Sequence, residues 1–317
     1  MRALVTGGAG FIGSNLVHAL VAEGLEVRVL DNFSTGHRHN LAEVSVEMIE
    51  GDLRSFERVS TATRGVEVVY HIGALPSVPR SIQDPLTSNA VNVEGTLNVI
   101  RAARDHDVRR VVFASSSSVY GDAPGMPRRE DQPIAPLAPY AVAKLAAERY
   151  VLVAPRVFGL ETVALRYFNV FGERQDPTSG YAAVIPKFIR MMLAGERPTI
   201  HGDGTASRDL RRERGAGNLA AATAPEAVGR AINVAMNGSH TIDELVQTLN
   251  NLMSTNLEPV YGEPRAGDVP ESRADISLAQ RIPDYQPTVS FEEGLTRTIE
   301  HIAEAAGRRG GTFSSVR

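Results

Sequence analysis

RALVTGGAGFIG, residues 2–13, holds an apolar run, a glycine-rich turn and the start of an amphipathic stretch, in that order. RALVT (2–6) has the length and composition of a buried strand. Gly7, Gly10 and Gly13 follow at G-x-x-G-x-x-G spacing. One glycine of such a turn permits the tight bend, one lets the backbone approach a pyrophosphate, and one lets helix and strand pack closely. The helix expected over 11–23 then points free N–H groups at an anion. Glycines also mark ordinary turns, so the context carries the reading. Asp31 ends the next apolar run, about 18 residues past Gly13. A carboxylate there accepts from a ribose 2′-OH and repels a 2′-phosphate, which points to NAD over NADP.

Outward from this turn the pattern repeats. Apolar runs recur at 26–30, 44–49, 66–72, 109–114 and 160–168, with helical stretches at 11–23, about 55–63, 84–105 and 138–154. Strands alternating with helices make an α/β protein with a parallel sheet covered on both faces. The expected fold class is a doubly wound parallel sheet of the Rossmann type, with a smaller α/β C-terminal domain for substrate. Helices are expected at 182–195, 241–253 and 290–307, the last opened by a capping box of Ser290 and Glu293. The Pro- and Gly-rich stretch 258–277 reads as loop. The expected division is residues 1–172 for dinucleotide, 173–306 for substrate with segments that interleave, and a flexible tail at 307–317.

Composition narrows the partners. The 317 residues are 43% hydrophobic and 22% charged, with a net charge of −4. That charge and the lack of a basic block point away from nucleic acid and from anionic membranes. The absence of cysteine excludes disulfides, thiolate nucleophiles and zinc–thiolate sites. A reducing cytoplasm is the expected compartment. No signal peptide and no membrane helix are read. The histidines are scattered, so no metal site is expected, and His71 reads as structural.

Tyr140 and Lys144 lie in APYAVAKLAAERY, with Pro139 suited to a first helical turn. At i and i+4 they share one helix face. A free phenol has a pKa of about 10 and is a poor base at neutral pH. A lysine cation and a positive nicotinamide ring would favour the phenolate, giving a base for a sugar hydroxyl. Y-x-x-x-K alone also fits a packing tyrosine beside a solvated lysine. SSSSVYGD (115–122) starts where the fifth strand ends, and ligands of parallel sheets bind beyond strand C-termini. Its hydroxyls can donate and accept, and so can bridge substrate oxygen and phenolate.

TGGAGFIG (6–13), SSSSVYGD (115–122), PYAVAK (139–144) and LRYFNVFG (165–172) together resemble the extended short-chain dehydrogenase/reductases. Within them they are similar to the NAD-dependent UDP-sugar 4-epimerases, the UDP-glucose 4-epimerase group. The resemblance spans roughly residues 2–305. It implies transient oxidation at C4 of a UDP-hexose and return of the hydride to the other face. Tyr140 is then the base, Lys144 its electrostatic partner, Ser116 the proton bridge and Ser117 its support. Asn169, Arg208 and Arg265 match residues that hold the diphosphate, and Ser272 matches a position lining the sugar pocket. For NAD the resemblance implies contacts from Gly7, Gly10, Phe11, Ile12, Gly13, Asp31, Asn32, Ser34, Thr35, Gly36, Asp52 and Leu53. Further along it implies Ile72, Ala74, Asn92, Ser115, Tyr140, Lys144 and Tyr167. By its residues alone, Asp52 reads more simply as a surface turn. The helices at 84–105 and 140–154 would pair across a homodimer as a four-helix bundle.

Three local features bear on this resemblance. Dehydrating and decarboxylating relatives carry acids before VYG, whereas this chain has Ser117 and Ser118, which favours plain epimerisation. A small residue at 272 resembles enzymes that accept N-acetylhexosamines, so use of both plain and acetylated hexoses is expected. After SRD (207–209) the family runs into an aromatic and β-branched strand. Here the sequence is LRRERGAGN (210–218), whose arginines and glycines do not suit a buried strand.

Overall fold

The computed structural model describes residues 1–176, 183–212, 215–264 and 271–309. The first half alternates strand and helix. Strands β1 (Arg2–Thr6), β2 (Glu26–Asp31), β3 (Glu47–Glu50), β4 (Val68–His71), β5 (Arg110–Ser116) and β6 (Glu161–Tyr167) agree closely with the apolar runs. Helices α1 (Phe11–Ala22), α2 (Phe56–Thr63), α3 (Gly95–Asp105) and α4 (Pro139–Phe158) lie between them. The stretch leading into α3 is broken: Pro85–Asn89 is α-helical and Ala90–Glu94 is a π turn. Beyond residue 183 come α5 (Val184–Leu193), α6 (Ala216–Thr223), strand β7 (Ala231–Val234), α7 (Ile242–Met253) and α8 (Phe291–Arg309).

The sheet runs β7-β6-β5-β4-β1-β2-β3, parallel throughout. The first strand therefore sits beside both β2 and β4, and the order reverses between β1 and β4. Side chains alternate along each strand. Ala3 and Val5 pack with Leu16 and Leu20 of α1 on one face, while Leu4 packs with Val69, Val99 and Val151 on the other. Both faces are covered, which explains why these strands read as continuous apolar runs. The seventh strand, β7, comes from beyond residue 173 and pairs with β6 through Ala231↔Ala164 to Val234↔Tyr167.

A separate core lies in the second half. Phe171, Ile185, Phe188, Leu245, Leu249 and Leu295 are buried together. Ser290 Oγ accepts from Glu293 N–H at 3.1 Å. A complete capping box stands at α7, where Thr241 and Glu244 cap each other. Short pairings build the floor of the cleft. Ser207–Arg208 lies between His240–Thr241 and Glu271–Ser272, and the register sets Arg208 opposite Ser272. Arg211–Arg212, unsuited to a strand by composition, still pairs with Val170–Phe171 over two residues. Arg265 and the end of the tail lie outside the described residues. Among the described residues no helix is long and apolar enough to cross a membrane.

Candidate active site

The glycine turn joins β1 to α1 at the point where the sheet order reverses. Gly7 has φ +65°, and a Cβ on Gly13 would lie 2.0 Å from the Gly7 carbonyl oxygen. Glycine is thus required for the backbone to fold this tightly on itself. No side chain caps α1 and its first turn carries no acid, so the N–H groups of that turn are left for an anion. That arrangement fits the pyrophosphate of a dinucleotide. Gly36 closes on the same turn, where a Cβ would come within 2.7 Å of Ala9 carbonyl carbon.

Asp31 is buried at the end of β2. Its Oδ2 accepts from Ala9 N–H at 2.9 Å and its Oδ1 from Phe33 N–H at 2.8 Å. The carboxylate is therefore fixed beside the turn, with lone pairs left for a ribose hydroxyl. Asn32 donates to Asp52 Oδ2 at 2.9 Å, and Arg54 clasps the same carboxylate at 2.8–2.9 Å. These contacts hold the Asp52 carboxyl well below the usual carboxylate range, the Arg54 hydrogen bond being the largest cause. Ser34 and Thr35 are exposed on the following loop, Phe11 and Ile12 half-buried on the first turn of α1, and Leu53 buried. Asn92 sits in the π turn and clamps the loop after β4: it accepts from Leu75 N–H at 2.9 Å and donates to Leu75 O at 3.1 Å. That clamp shapes Ile72–Leu75, the stretch carrying Ile72 and Ala74. His71, just before it, is buried between Thr6 Oγ1 at 2.7 Å and Thr96 Oγ1 at 3.0 Å. Burial holds its pKa down to about 3, so it stays neutral, as a structural residue.

Across the cleft, β5 ends at Ser116, in register with Tyr167 of β6. Pro139 opens α4, and Tyr140 N–H donates to Ser81 Oγ at 3.0 Å. The Tyr140 phenol faces the Ser116 hydroxyl, whose hydrogen bonding favours the phenolate. Lys144, one turn on, is buried with Nζ 4.2 Å from the Phe113 ring centroid. The structure thus brings Ser116, Tyr140 and Lys144 together. The chain's own groups do not depress the phenol, however. Burial pushes Tyr140 up to about 12, against the Ser116 hydrogen bond. Burial likewise brings Lys144 down to about 7, opposed by the charge of Glu148.

The serines divide their work differently from the sequence expectation. Ser118 supports Ser116: its hydroxyl donates to Ser116 Oγ at 2.9 Å and its N–H at 3.2 Å. Ser117 instead lines a cavity of about 290 Å³, with Ser118, Tyr120, Asn169, Arg208 and Ser272 also in its wall. A second cavity, also about 290 Å³, is walled by Asn169, Phe171, Lys187, Phe188, Ile200 and Arg208. Asn169 and Arg208 therefore stand where the two meet. Asn169 Nδ2 donates to Ser272 Oγ at 3.3 Å, and Arg208 Nη1 to Ser207 O at 2.8 Å. Ser115 donates to Glu148 Oε2 at 2.7 Å. Sequence reading missed Ser118 and Glu148. The second had a signal, since Glu148 continues the four-residue spacing of Tyr140 and Lys144.

A glycine turn at the sheet's switch point, with a half-buried phenol and hydroxyl and a buried ammonium in the same domain, defines a dinucleotide-dependent enzyme of the extended short-chain dehydrogenase/reductase type. Residues 3–235 match the NAD dependent epimerase/dehydratase family. The chain belongs to this family, and its cofactor is NAD. It is 37% identical over 311 residues to a UDP-glucose 4-epimerase of Mycolicibacterium smegmatis, covering 95% of this chain and 98% of that protein. The UDP-N-acetylglucosamine 4-epimerase from Methanobrevibacter ruminantium M1, solved with UDP-N-acetylmuramic acid, superposes with a TM-score of 0.92 at 37% identity. That match covers 96% of this chain and 98% of the other. The UDP-glucose 4-epimerase of Thermus thermophilus, solved with NAD, gives 0.86 at 35% identity over 98% and 100% of the two chains.

Proposed function

We propose that the protein is a UDP-hexose 4-epimerase that accepts both plain and N-acetylated hexoses. The observation that carries this is the meeting of the Ser116 hydroxyl with the Tyr140 phenol, next in sequence to Ser117 and Ala141 of a cavity wall to which the β5 loop brings hydroxyls and no acid, the acid there, Glu271, standing on the strand of Ser272. NAD, when bound, supplies the acceptor and donor of hydride at the hexose C4. The chain's part is to move one proton and hold the rest still. Ser116 accepts the C4 hydroxyl proton as it passes its own to the Tyr140 oxygen, and the reverse transfer restores the hydroxyl. Lys144 and the cationic ring supply the charge that burial alone denies the phenolate. With serine at 117 and 118, the loop offers no general acid for loss of water.

Asn169 and Arg208, at the junction of the cavities, suit a diphosphate, Arg208 through its planar fork of donors. The nucleoside then occupies the cavity beside Phe188 and Ile200, and the hexose the one beside Ser117 and Ser272. The short Ser272 side chain leaves room for an acetamido group. The protein is further proposed to act as a homodimer. Leu86, Val142, Tyr150, Val153 and Val157 leave an exposed apolar face on α4 and its neighbour, and a second copy would cover it.

The purified enzyme, incubated separately with UDP-glucose and UDP-N-acetylglucosamine, is expected to give the 4-epimer of each on chromatography. A 4-keto-6-deoxy product would replace the reading with a dehydratase. Turnover of UDP-glucose alone would remove the acetylated substrates from it.

A further inference from the structure

Tyr140, Lys144 and Glu148 stand at i, i+4 and i+8 of α4 and form one stripe facing the sheet. Tyr140 meets the Ser116 hydroxyl and Lys144 the Phe113 ring. Glu148 meets Ser115 and Arg166, and the mechanism above gives it no task. It is 0% exposed, and Arg166 is 1% exposed. The pair is bidentate, with Arg166 Nε to Oε2 at 3.0 Å and Nη2 to Oε1 at 2.8 Å. Arg166 Nη1 donates to the Tyr120 hydroxyl at 2.9 Å, which in turn donates to Asn233 Oδ1 at 2.7 Å. Glu148, Arg166, Tyr120 and Asn233 thus satisfy one another in a buried row.

Stability is a poor reason for such a pair. Two charges taken out of water lose more hydration than their attraction returns, and apolar residues of similar volume are often as stable. Its place, one helical turn past Lys144, suggests another use. We propose that Glu148, held in place by Arg166, is the positioning residue whose charge keeps the Lys144 ammonium protonated, one helical turn from Tyr140. This rests on the epimerase reading only in assigning Lys144 its task.

The sign follows from the surroundings. Burial drives Lys144 toward the neutral amine, and the carboxylate of Glu148 opposes it. The other ionisable groups near Lys144 do not help. His71 on β4 is neutral, Arg166 on β6 is a cation paired with Glu148, and the phenols of Tyr140 and Tyr120 are held protonated by burial.

The chain has two lysines, Lys144 and Lys187, which makes the test direct. Protein labelled with 13Cε-lysine gives two resonances, assigned with K187R and titrated in wild type, E148Q and the double variant E148Q/R166M. E148Q removes the carboxylate and leaves the Arg166 cation, and both changes push Lys144 the same way. The double variant removes both charges. The midpoint for Lys144 is therefore expected to fall in the order wild type, double variant, E148Q, with E148Q lower by about one pH unit or more. The alkaline limb of kcat should move in the same order while KM for UDP-glucose changes little. At pH values above the shifted midpoint, kcat of E148Q should be roughly ten-fold lower, following the charged fraction. A folded variant with an unmoved Lys144 resonance overturns the proposal. So does a double variant that cannot fold, because the pair would then serve the fold. A shifted resonance with unchanged kcat leaves Glu148 its role and refutes the task given to Lys144. Failure of the wild type to turn over any UDP-hexose refutes the epimerase reading alone.

Discussion

Replacing Gly13 by alanine tests the cofactor turn at one atom. The added Cβ would lie 2.0 Å from Gly7 O and 2.8 Å from both Gly7 C and Gly8 Cα. All three are backbone atoms, so no side chain can swing aside. Ordinary contact lies near 3.5 Å, so the turn must open by more than about 1 Å. Overpacking of this kind costs about 1–3 kcal/mol. The free chain relieves part of the clash by letting the turn relax, but a pyrophosphate demands the closed shape. The strain should therefore appear in NAD affinity, as a loss of roughly 5- to 150-fold. Gly24→Ala is the control. Gly24 also has positive φ, at +77°, but nothing lies within 4 Å of its Cβ position. It should lose about 1–2 kcal/mol of stability for the left-handed backbone and bind NAD normally. Calorimetric titration of NAD into each apoprotein, with urea unfolding alongside, separates the two. A Gly13→Ala protein that binds NAD within about two-fold of wild type would refute the assignment of this turn.

Three further outcomes follow from the geometry. Tyr140→Phe should lower kcat by roughly 10²–10⁴-fold with little change in KM, measured as UDP-glucose turnover, because it deletes the proton acceptor and leaves the ring. His71 is depressed when folded, so its contribution is present above its unfolded pKa of about 6.5 and is lost as pH falls toward its folded value of about 3. Unfolding free energy should fall by about 2 kcal/mol more in wild type than in His71→Gln between pH 6.5 and 5, and equal slopes would remove His71 as the cause. Leu86→Arg combined with Val157→Arg should turn a dimer into a monomer in sedimentation, since these side chains are 82% and 62% exposed on the proposed contact face.

The doubly wound half was legible because its strands are buried on both faces and its glycine turn has a steric cause. Apolar runs marked the first six strands, and the glycine spacing marked the switch point. The seventh strand, Ala231–Val234, escaped because Asn233 interrupts its apolar run and the segment follows a helix of mixed pattern. Tyr140 and Lys144 were legible by their shared helix face, but their ionisation was not. A phenol's pKa depends on how deeply it is buried, and burial is a tertiary property. Four consecutive serines in SSSSVYGD cannot be told apart by type. Only the turn after β5 decides that Ser118, with both hydroxyl and N–H aimed at Ser116, is the one that supports it. Arg211–Arg212 pairs despite its composition because two residues need only backbone groups to join Val170–Phe171.

The late arrival of Ala231–Val234 has a consequence for how the chain is made. Until that segment emerges from the ribosome, Glu161–Tyr167 is the rim of an unfinished sheet, with a row of unsatisfied backbone groups. A fragment ending at residue 172 would carry the whole dinucleotide turn and still present that sticky border to its neighbours. Such a fragment should precipitate more readily than the full-length chain.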